Sequence, residues 1–379
     1  MGIEDLSGLA DFDVMEAEPE VDRYKDEFDP AVRFAFVGAG QAGGRFVEMA
    51  YQLGWRRVLA VNTYQGDLDS LTKLPADNKL LIGESTGAGK DPAQSLSRFQ
   101  QYTHDIFDAL HTCFGPDVDQ VLVCAGAGGG TGTGALGCAN GSPALNGLLD
   151  TVHRYLGALP ERTEPRRVGV VVSIPADTEQ AGVCANAYET LLNLFEVPAE
   201  IISPKIVIDN NRITKIWPKI TSGEKWSRVN GTVFSTLKAL TVLAKTSSET
   251  PFDPADFTKV LSSGTLIFGA LDVKDPSSTE LAKAVRVNAE RGLLAEGFDL
   301  TQGKTAAAIA VGPKDVIDAI PVKDMEYAMQ MFAELLGRKG ITLHRGVYAG
   351  PFPVLRLYTM IGGLPIPAAR LEKLRTRVS

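Results

Sequence analysis

An apolar run that ends in a dense series of glycines constrains this chain more than any other feature. Residues 124–134 read CAGAGGGTGTG and directly follow the apolar run 121–123. Glycine lets the backbone approach another group closely, and the apolar pattern that resumes at Ala135 predicts a helix from there. A strand, a glycine turn and a helix N-terminus in this order are typical of a phosphate-binding loop, because the free N–H groups face an anion.

Apolar runs and helical patterns alternate along the first part of the chain. The short runs 34–37, 58–61 and 168–173 predict strands, and stretches between them carry the three- and four-residue spacing of helices. This alternation predicts an α/β fold with a mostly parallel sheet, in which ligands bind at the carboxyl ends of the strands. A long helix is predicted from about residue 224 to residue 245, where apolar residues recur at helical spacing.

The chain is long enough for more than one folded unit. Its first 30 residues hold eleven acidic residues against two basic ones, which predicts a disordered acidic tail. The later mixture of strands and helices predicts a second, smaller α+β domain. The expected divisions are a tail over 1–30, an α/β domain over 31–223, a central helix over 224–247, the smaller domain over 248–363 and a basic tail over 364–379.

Composition argues against several classes of protein. The four cysteines show no Cys-x-x-Cys spacing, so neither a disulfide framework nor a zinc site is predicted. No apolar run approaches the roughly 20 residues needed to cross a bilayer, and a signal-peptide pattern is lacking. We therefore expect a cytoplasmic protein without a transmembrane segment. The sequence contains no basic stripe with interleaved aromatic residues, so nucleic-acid binding is not predicted.

Two other glycine-rich segments admit competing interpretations. The segment 38–43, GAGQAG, fits the dinucleotide-binding pattern, but the next predicted strand ends at Val61 and Asn62 without an acidic residue for a ribose. A dinucleotide-dependent oxidoreductase therefore stays a minor alternative. The segment 83–90, GESTGAGK, is one residue too long for a P-loop, and Asp91 stands where the magnesium-binding Ser or Thr belongs.

The segment GGGTGTG at 128–134 resembles the signature loop of the tubulin/FtsZ family of nucleotide-driven filament proteins. The resemblance covers about residues 32–270, with further motifs in the same order: GAGQAGGR from Gly38, VNTYQGDL from Val61, GAGKDP from Gly87 and IPADTE from Ile174. It implies a Rossmann-like GTP-binding domain, a long central helix and a smaller C-terminal activation domain.

The resemblance also implies that these loops bind GTP, with GDP as the product and Mg²⁺ as the metal ion. Asp67 is expected in the magnesium water shell, although a plain solvated acid is an equal interpretation. Glu179 is expected to bind ribose hydroxyls, Asn210 and Asn230 to read guanine, and Trp226 to stack on the base unless it is a core residue. The expected nucleotide-contacting residues are Gly38, Gly40, Gln41, Ala42, Gly43, Asn62, Gly87, Ala88, Gly89, Gly128, Gly129, Gly130, Thr131, Gly132, Thr133, Gly134, Pro175, Glu179, Asn210, Trp226 and Asn230.

Asp253 and Asp256 lie three residues apart in the segment FDPAD, at the predicted start of a helix. Capping of that helix is one interpretation, since aspartate is a favourable N-cap. The resemblance implies another, because this segment matches the family's catalytic loop, which completes the active site of the next subunit in a head-to-tail filament. Asp256 is then the expected catalytic residue, with Asp253 as its partner, and hydrolysis requires assembly of the protein with itself.

Departures from the division-type FtsZ pattern favour the divergent CetZ, TubZ and tubulin-like branch. Pro251 stands where FtsZ has Asn, Val183 where it has Arg, and Gly231 where it has Asp. Pro251 motivates an alternative function, a GTP-binding structural or regulatory filament protein with little hydrolysis. The terminal segments suggest an adaptor or a membrane tether as partner: the ending LPIPAARLEKLR weakly resembles the FtsZ tail peptide, and a short amphipathic surface helix is the other interpretation.

Overall fold

The computed structural model of the chain describes residues 23–137, 145–337 and 340–376, which form helices on both faces of a sheet. The strands are β1 Phe34–Ala39, β2 Val58–Asn62, β3 Lys79–Leu81, β4 Gln120–Gly126, β5 Arg167–Ile174, β6 Ile202–Asp209, β7 Thr265–Val273, β8 Thr305–Gly312, β9 Thr342–Ala349 and β10 Leu355–Leu364. The α-helices are α1 Gly40–Gln52, α2 Gln65–Asp69, α3 Pro92–Gln101, α4 Thr103–Phe114, α5 Gly130–Ala135, α6 Gly147–Ala158, α7 Ala181–Glu196, α8 Asn210–Ile216, α9 Ser222–Leu243, α10 Pro254–Leu261, α11 Ser278–Arg291, α12 Lys314–Ala319, α13 Val322–Leu335 and α14 Ala368–Arg375.

The strands of the described residues form one sheet, in the order β3-β2-β1-β4-β5-β6-β7-β10-β8-β9. Only β10 runs antiparallel to its neighbours in this sheet, so the predicted α/β fold with a mostly parallel sheet is confirmed. The N-terminal and C-terminal halves meet between β6 and β7. There the register contains one residue pair, Lys205 with Thr265, so the halves share little strand pairing.

Apolar residues cover both faces of the sheet because side chains alternate along each strand. On β1, Phe36 faces the layer that contains α9, whereas Val37 faces the opposite layer, which contains α4, α6 and α7. Phe36, Trp55 and Phe234 of α9 form an aromatic cluster whose ring centroids lie 5.0–6.3 Å apart. This cluster fixes α9 against the first half of the sheet.

The long central helix α9 connects the two halves of the molecule. Thr221 caps it, accepting the backbone N–H of Glu224 at 3.4 Å and donating its hydroxyl to the Glu224 carboxylate at 2.9 Å. Its apolar positions Val229, Val233 and Leu237 are buried, as the helical spacing predicts. A rise of 1.5 Å per residue makes its 22 residues roughly 33 Å long.

Residues 26–29 pack against the folded body, which corrects the expectation of disorder for this part of the acidic segment. The backbone N–H of Arg56 donates to Asp26 at 2.9 Å, and the ring centroids of Phe28 and Trp55 are 5.3 Å apart. Burial raises the pKa of Asp26, although its hydrogen bond from Arg56 and the charge of Arg57 oppose this. The prediction for residues 1–22 lies outside the described residues.

Two elements differ from the sequence prediction. The helix after the glycine turn begins at Gly130 rather than Ala135 and is only six residues long. Strand β10, which the sequence does not predict, pairs with both β7 and β8. Its partners are distant in sequence, so the local pattern carries little sign of it.

The C-terminal segment is also more than the expected basic tail with a surface helix. Leu364 ends β10, and α14 packs against α7 with Arg370 and Leu374 buried. The sequence does not reveal this packing, because Arg370 binds Asp209 and Asp177, which lie far upstream in the chain. In the described parts of the chain, every helix is too short or too polar to cross a membrane.

Candidate functional site

A cleft of about 380 Å³ lies where the glycine-rich segments meet at the carboxyl ends of β1, β4, β5 and β6. Ligands of parallel α/β sheets bind at this edge. The predicted site residues that line it are Gly40, Gln41, Ala42, Asp67, Gly128, Gly129, Gly130, Thr131, Gly132, Pro175, Glu179, Asn210 and Trp226. The fold therefore brings residues from widely separated motifs to one cleft.

The glycine-rich segment after β4 folds tightly because its glycines permit close backbone contacts. A Cβ on Gly132 would lie 2.2 Å from the carbonyl oxygen of Gly126. Thr133 is buried and donates its hydroxyl to the carbonyl of Ala127 at 2.5 Å, so Thr133 shapes the loop and does not line the cleft. Gly134 packs against the start of α3 instead. The first amides of α5 lack helical partners, which leaves them available to an anion in the cleft.

The first glycine loop combines residues that line the cleft with residues that hold α1 in place. Gly40 has a φ of 70°, a left-handed conformation that favours glycine. A Cβ on Gly43 would lie 2.2 Å from the carbonyl oxygen of Cys124, and one on Gly38 would lie 2.1 Å from that of Gly43. Gly38 and Gly43 therefore allow α1 to pack on the sheet, while residues 40–42 line the cleft.

Asn62 holds the second loop and does not itself line the cleft. Its side-chain oxygen accepts the backbone N–H of Thr63 at 2.7 Å, and its amide donates to Asp67 at 3.1 Å. Gln41 donates to the other carboxylate oxygen of Asp67 at 3.4 Å. These two amides keep the Asp67 carboxylate at the wall of the cleft.

One carboxylate beside a phosphate site fits Mg²⁺, which keeps several waters and takes other ligands from phosphates. Asp67 meets this description because it lies in the cleft with the glycine loops. Across the residues that the structure describes, no group of three or more His, Cys, Asp or Glu side chains forms a metal site by itself. A magnesium ion here would therefore depend on a bound polyphosphate.

The third loop contributes Lys90, which the sequence analysis missed, while the predicted residues 87–89 do not line the cleft. The ammonium of Lys90 donates to the side-chain oxygen of Gln180 at 2.9 Å. Asp91 caps α3, accepting two backbone N–H groups. A lysine supplies the positive charge that phosphates favour, and its position in the segment GAGK was the available signal. Other lining residues that sequence reasoning missed adjoin strand ends: Ala39, Gly126, Ser173 and Ile174.

Two buried side-chain amides lie near the N-terminal ends of α8 and α9. Asn210 Oδ1 and Asn230 Oδ1 are buried without a hydrogen-bond partner among the described residues. Asn210 lines the cleft, whereas Asn230 lines a neighbouring cavity of about 360 Å³. Buried amide oxygens without a hydrogen-bond donor are energetically costly. The N–H groups of a guanine ring are donors that could satisfy these two oxygens.

Trp226 forms the wall between the two cavities, since it lines both. It is only half-buried, so its position differs from that of a core residue. The Lys225 ammonium lies 4.6 Å from the indole ring centroid, and the Arg45 guanidinium lies 5.8 Å from it. Burial lowers the pKa of Lys225, while the nearby charge of Glu179 opposes this. The half-buried indole therefore lies at the border of the cleft with two cations close to its ring.

The acidic loop of residues 253–256 lies at the start of α10. Asp253 caps this helix, accepting the backbone N–H of Asp256 at 2.8 Å, so the capping interpretation holds for Asp253. Asp256 has a different partner, since its Oδ1 lies 2.8 Å from Nδ1 of His344 on β9. The other ring nitrogen of His344 is buried and has no hydrogen-bond partner within the described part of the chain.

Strand β9 also anchors the residue before the acidic loop. Phe252 is fully buried, and its backbone N–H donates to the hydroxyl of Tyr348 at 2.8 Å. Burial raises the pKa of Tyr348, and the charges of Asp253 and Asp256 add to this effect. The loop is therefore fixed to the C-terminal half of the molecule.

The cleft and the acidic loop lie at opposite ends of α9. Trp226, near the N-terminal end of the helix, lines the cleft, and the acidic loop follows the last helical residue, Leu243. Asp253 and Asp256 are absent from the lining of the cleft. The structure thus brings the loops predicted to bind phosphate, ribose and base together, and it keeps the two aspartates apart from them within one chain.

A larger cavity of about 920 Å³ lies in the C-terminal half, between the end of α9, α11, α13 and the β9–β10 region. Apolar side chains such as Leu243, Val285 and Met325 form much of its wall. These walls do not suit a polyphosphate, so this cavity does not compete with the glycine-lined cleft.

Sequence comparisons identify relatives of this chain. The family model described as "Tubulin/FtsZ-like protein TubZ-like, C-terminal domain" matches residues 239–360. The tubulin-like protein CetZ of Pyrococcus abyssi is 26% identical over 329 residues, which cover 84% of this chain and 82% of that protein. The cell division protein FtsZ 2 of Halobacterium salinarum is 32% identical over 246 residues, which cover 63% of this chain and 54% of that protein.

The fold is similar to that of a solved filament protein. The structure described as a GTPγS-form protofilament of Bacillus thuringiensis serovar israelensis TubZ matches with a TM-score of 0.77 and 20% identity, covering 92% of both chains. This likeness extends over both halves of the molecule, and the sequence matches agree with it. These comparisons together support the tubulin/FtsZ superfamily, and within it the branch of CetZ and TubZ, as the family that this chain resembles in sequence and fold.

Proposed function

We propose that the protein is a GTPase that assembles head to tail and hydrolyses GTP at the junction between two subunits. The observation that carries the proposal is the position of the cleft and of Asp256 at opposite ends of α9. One subunit would hold the nucleotide without the acid. A second subunit stacked in the same direction would bring its Asp256 to the first subunit's cleft.

The cleft offers a partner for each part of GTP. Backbone N–H groups of the glycine loops and the Lys90 ammonium would bind the phosphates. Glu179 would accept ribose hydroxyls. Asn210 and Asn230 would accept N–H groups of guanine, and bidentate contacts of this kind are worth about 1–3 kcal/mol. The GTPγS form of the structurally similar TubZ protofilament supports the choice of nucleotide.

Magnesium would bind between Asp67 and the phosphates, where it would neutralise negative charge that develops during phosphoryl transfer. Asn62 and Gln41 would orient the Asp67 carboxylate through their amide hydrogen bonds.

In the hydrolysis step, water attacks the terminal phosphorus, the bond to the bridging oxygen of GDP breaks, and inorganic phosphate leaves. The carboxylate of Asp256 from the adjacent subunit would accept a hydrogen bond from the attacking water and take its proton. General-base catalysis of this kind contributes roughly 10²–10⁴ in rate. Asp253 would support it by capping α10 and fixing the loop.

The proposal is tested by mixing two inactive variants. Asp256→Asn keeps the cleft and removes the base, so we expect its phosphate release to fall at least about 100-fold while GTP binding persists. Gly129→Glu places a carboxylate in the cleft, and a Cβ at this residue meets no described atom within 4 Å, so the fold should tolerate it. An Asp256→Asn subunit with GTP can then receive Asp256 from a Gly129→Glu subunit, so mixing should restore turnover.

Gly157→Glu is the matched control, because Gly157 is an exposed residue of α6 whose Cβ would also meet open space. The Gly157→Glu protein should release phosphate at the wild-type rate. For both the wild type and Gly157→Glu, turnover per subunit should rise with protein concentration. Normal turnover by Asp256→Asn contradicts the assignment of the base. A mixture that binds GTP and assembles but stays inactive contradicts catalysis between subunits.

A GTP-binding filament protein with little hydrolysis is the second candidate. The contact between Asp256 and His344 favours it, since this contact occupies one oxygen of the proposed base. Wild-type protein that sediments with GTP but releases no phosphate would support this candidate over the first.

A further inference from the structure

The C-terminal helix α14 buries a guanidinium directly behind the nucleotide-facing loops. The side chain of Arg370 is 1% exposed, although arginine is rarely buried unless it is paired. Its backbone packs against the connection after α11, where a Cβ on Gly297 would lie 2.9 Å from Arg370 Cβ. Leu374, one turn later, is fully buried in the layer that contains α7. Helix α14 is therefore an integral part of the packed structure behind the cleft loops.

Arg370 uses each of its three guanidinium nitrogens. Nε donates to Asp209 at 2.6 Å, one terminal nitrogen donates to Asp177 at 2.6 Å, and the other donates to the carbonyl of Pro175 at 2.5 Å. Asp209 ends β6, whereas Pro175 and Asp177 belong to the loop after β5. One side chain therefore joins two adjacent loops at the edge of the cleft.

Both loops carry groups that face the cleft. Asp209 caps α8 through the backbone N–H of Asn211, which places Asn210 at the first position of that helix. The Asn211 side chain in turn accepts the backbone N–H of Asp177 at 2.9 Å. Pro175 itself lines the cleft, and so does Glu179 two residues beyond Asp177. The contacts of Arg370 therefore fix the relative positions of the ribose and base groups.

Charge makes this arrangement depend on Arg370. Burial raises the pKa of Asp209, and the Arg370 charge opposes that effect. Burial also disfavours ionised Asp177, but the hydrogen bond from Asn211 and the charge of Arg370 outweigh it and lower its pKa. Without the guanidinium, two carboxylates would face each other behind the loops, and their repulsion would push the loops apart.

We propose that Arg370 is a positioning residue for the guanine nucleotide, and that the docked helix α14 and the bound nucleotide stabilise each other. The inference rests on the proposed binding of guanine nucleotides. It follows from reciprocity, because a helix that improves nucleotide affinity must itself be held more firmly when the nucleotide is bound. A partner that detaches α14 would release the nucleotide.

The first test compares Arg370→Met with Arg375→Met in the full chain. Arg375 lies on the same helix, but its side chain is 58% exposed and forms a local ion pair with Glu372. Titration with GDP should give a dissociation constant at least about tenfold higher for Arg370→Met, because it loses several charge-assisted hydrogen bonds. Arg375→Met should bind as the wild type does. Arg370→Lys, which keeps the charge but can reach fewer acceptors, should lie between them.

Base discrimination separates positioning from a merely structural role. Arg370 orders the ribose and base loops and does not contact the phosphate loops, so Arg370→Met should lose affinity for GDP more than for ADP. The preference for GDP should therefore fall together with affinity. Unchanged GDP affinity in a folded Arg370→Met protein overturns the inference, and so does an equal loss for GDP and ADP.

A second measurement needs only the wild-type protein. Hydrogen exchange of the amides in residues 368–375 should slow several-fold when GDP saturates the cleft. Unchanged exchange overturns the inference even if Arg370→Met fails to fold. Failure of the wild type to bind GDP would instead overturn the proposed function, so the two failures are distinguishable.

Discussion

A single imidazole holds the carboxylate on which the proposed chemistry depends. Nδ1 of His344 lies 2.8 Å from Asp256 Oδ1, so the imidazole is in direct contact with this carboxylate. The ring packs against Phe252, with centroids 6.3 Å apart. Strand β9, which carries His344, therefore sets the orientation of Asp256 even though the two residues are distant in sequence.

Replacing His344 by leucine should slow hydrolysis without weakening nucleotide binding. The change removes the imidazole that contacts Asp256 and keeps an apolar side chain beside Phe252, so Asp256 would lose its fixed orientation. Loss of this one polar contact corresponds to roughly a tenfold decrease in phosphate release at saturating GTP. GDP affinity should stay the same, because His344 lies away from the cleft.

The control for this variant is His104→Leu, since His104 is 88% exposed on α4. Its turnover should equal that of the wild type. Faster hydrolysis in His344→Leu would show that the imidazole restrains Asp256, in favour of the candidate with little hydrolysis.

Residue-level prediction from sequence succeeds where a motif is continuous and fails where a contact is long-range. Residues 128–132 line the cleft as the glycine-rich segment predicts. Arg370 and His344 gain their roles from partners 161 and 88 positions away, and no local pattern marks such pairs. The positioning roles of Arg370 and His344 stay predictions, as do the roles assigned to the cleft residues.

At the scale of elements, Asp119 joins three segments at the N-terminal edge of the sheet. It precedes β4 and accepts the backbone N–H of Arg33, the residue before β1, at 2.8 Å. It also accepts a hydrogen bond from Arg162, in the segment before β5, at 2.6 Å. Burial disfavours its ionised form, but the hydrogen bonds from Arg33 and Arg162 and the charge of Arg33 outweigh burial and lower the pKa of Asp119.

Asp119→Asn should lower the free energy of unfolding by about 2 kcal/mol at neutral pH, because charged hydrogen bonds are lost. A lowered folded-state pKa contributes stability above the ordinary aspartate pKa of about 3.9, and this contribution is lost as pH falls through the folded-state value. The difference between wild type and variant should therefore narrow below about pH 4. Urea unfolding of the wild type and the variant at neutral and acidic pH measures this difference in the free energy of unfolding.

Exposed Asp105 of α4 gives the matched substitution, Asp105→Asn, which should change the free energy of unfolding by less than about 0.5 kcal/mol. If the free energies of unfolding of the wild type and Asp119→Asn differ by the same amount at neutral and acidic pH, the ionised carboxylate of Asp119 is not the source of the stability.

Elements were predictable where local pattern and tertiary packing agree. The alternating apolar runs predict the parallel strands, since these are buried on both faces. Helix α5 begins within glycines, whose helix propensity is low, so only its packing against α3 and the sheet explains its start at Gly130. β10 contains Gly362 and Gly363 just before its last residue, and glycine has a low β-propensity, so the local sequence does not indicate a strand that pairs with β7 and β8.

At the scale of the whole molecule, one sheet and one long helix join both halves. The single pair between β6 and β7 contributes little strand pairing, so α9 and the contacts around Arg370 carry much of the connection. The domain limits near residues 223, 247 and 363 stay predictions, as do the cytoplasmic location and the adaptor or tether at the termini. Filament polarity would follow from the opposite positions of cleft and acidic loop.

Trp226 lies in the wall of the cleft, and this position has a practical consequence for fluorescence measurements. Trp55 is fully buried among phenylalanine rings, so its emission would report unfolding, whereas Trp226 is half-buried in the wall of the cleft. Addition of GDP should quench the fluorescence of the native protein, and Trp226→Phe should abolish most of this response. Nucleotide exchange could then be followed in real time by stopped-flow spectroscopy, without any attached dye.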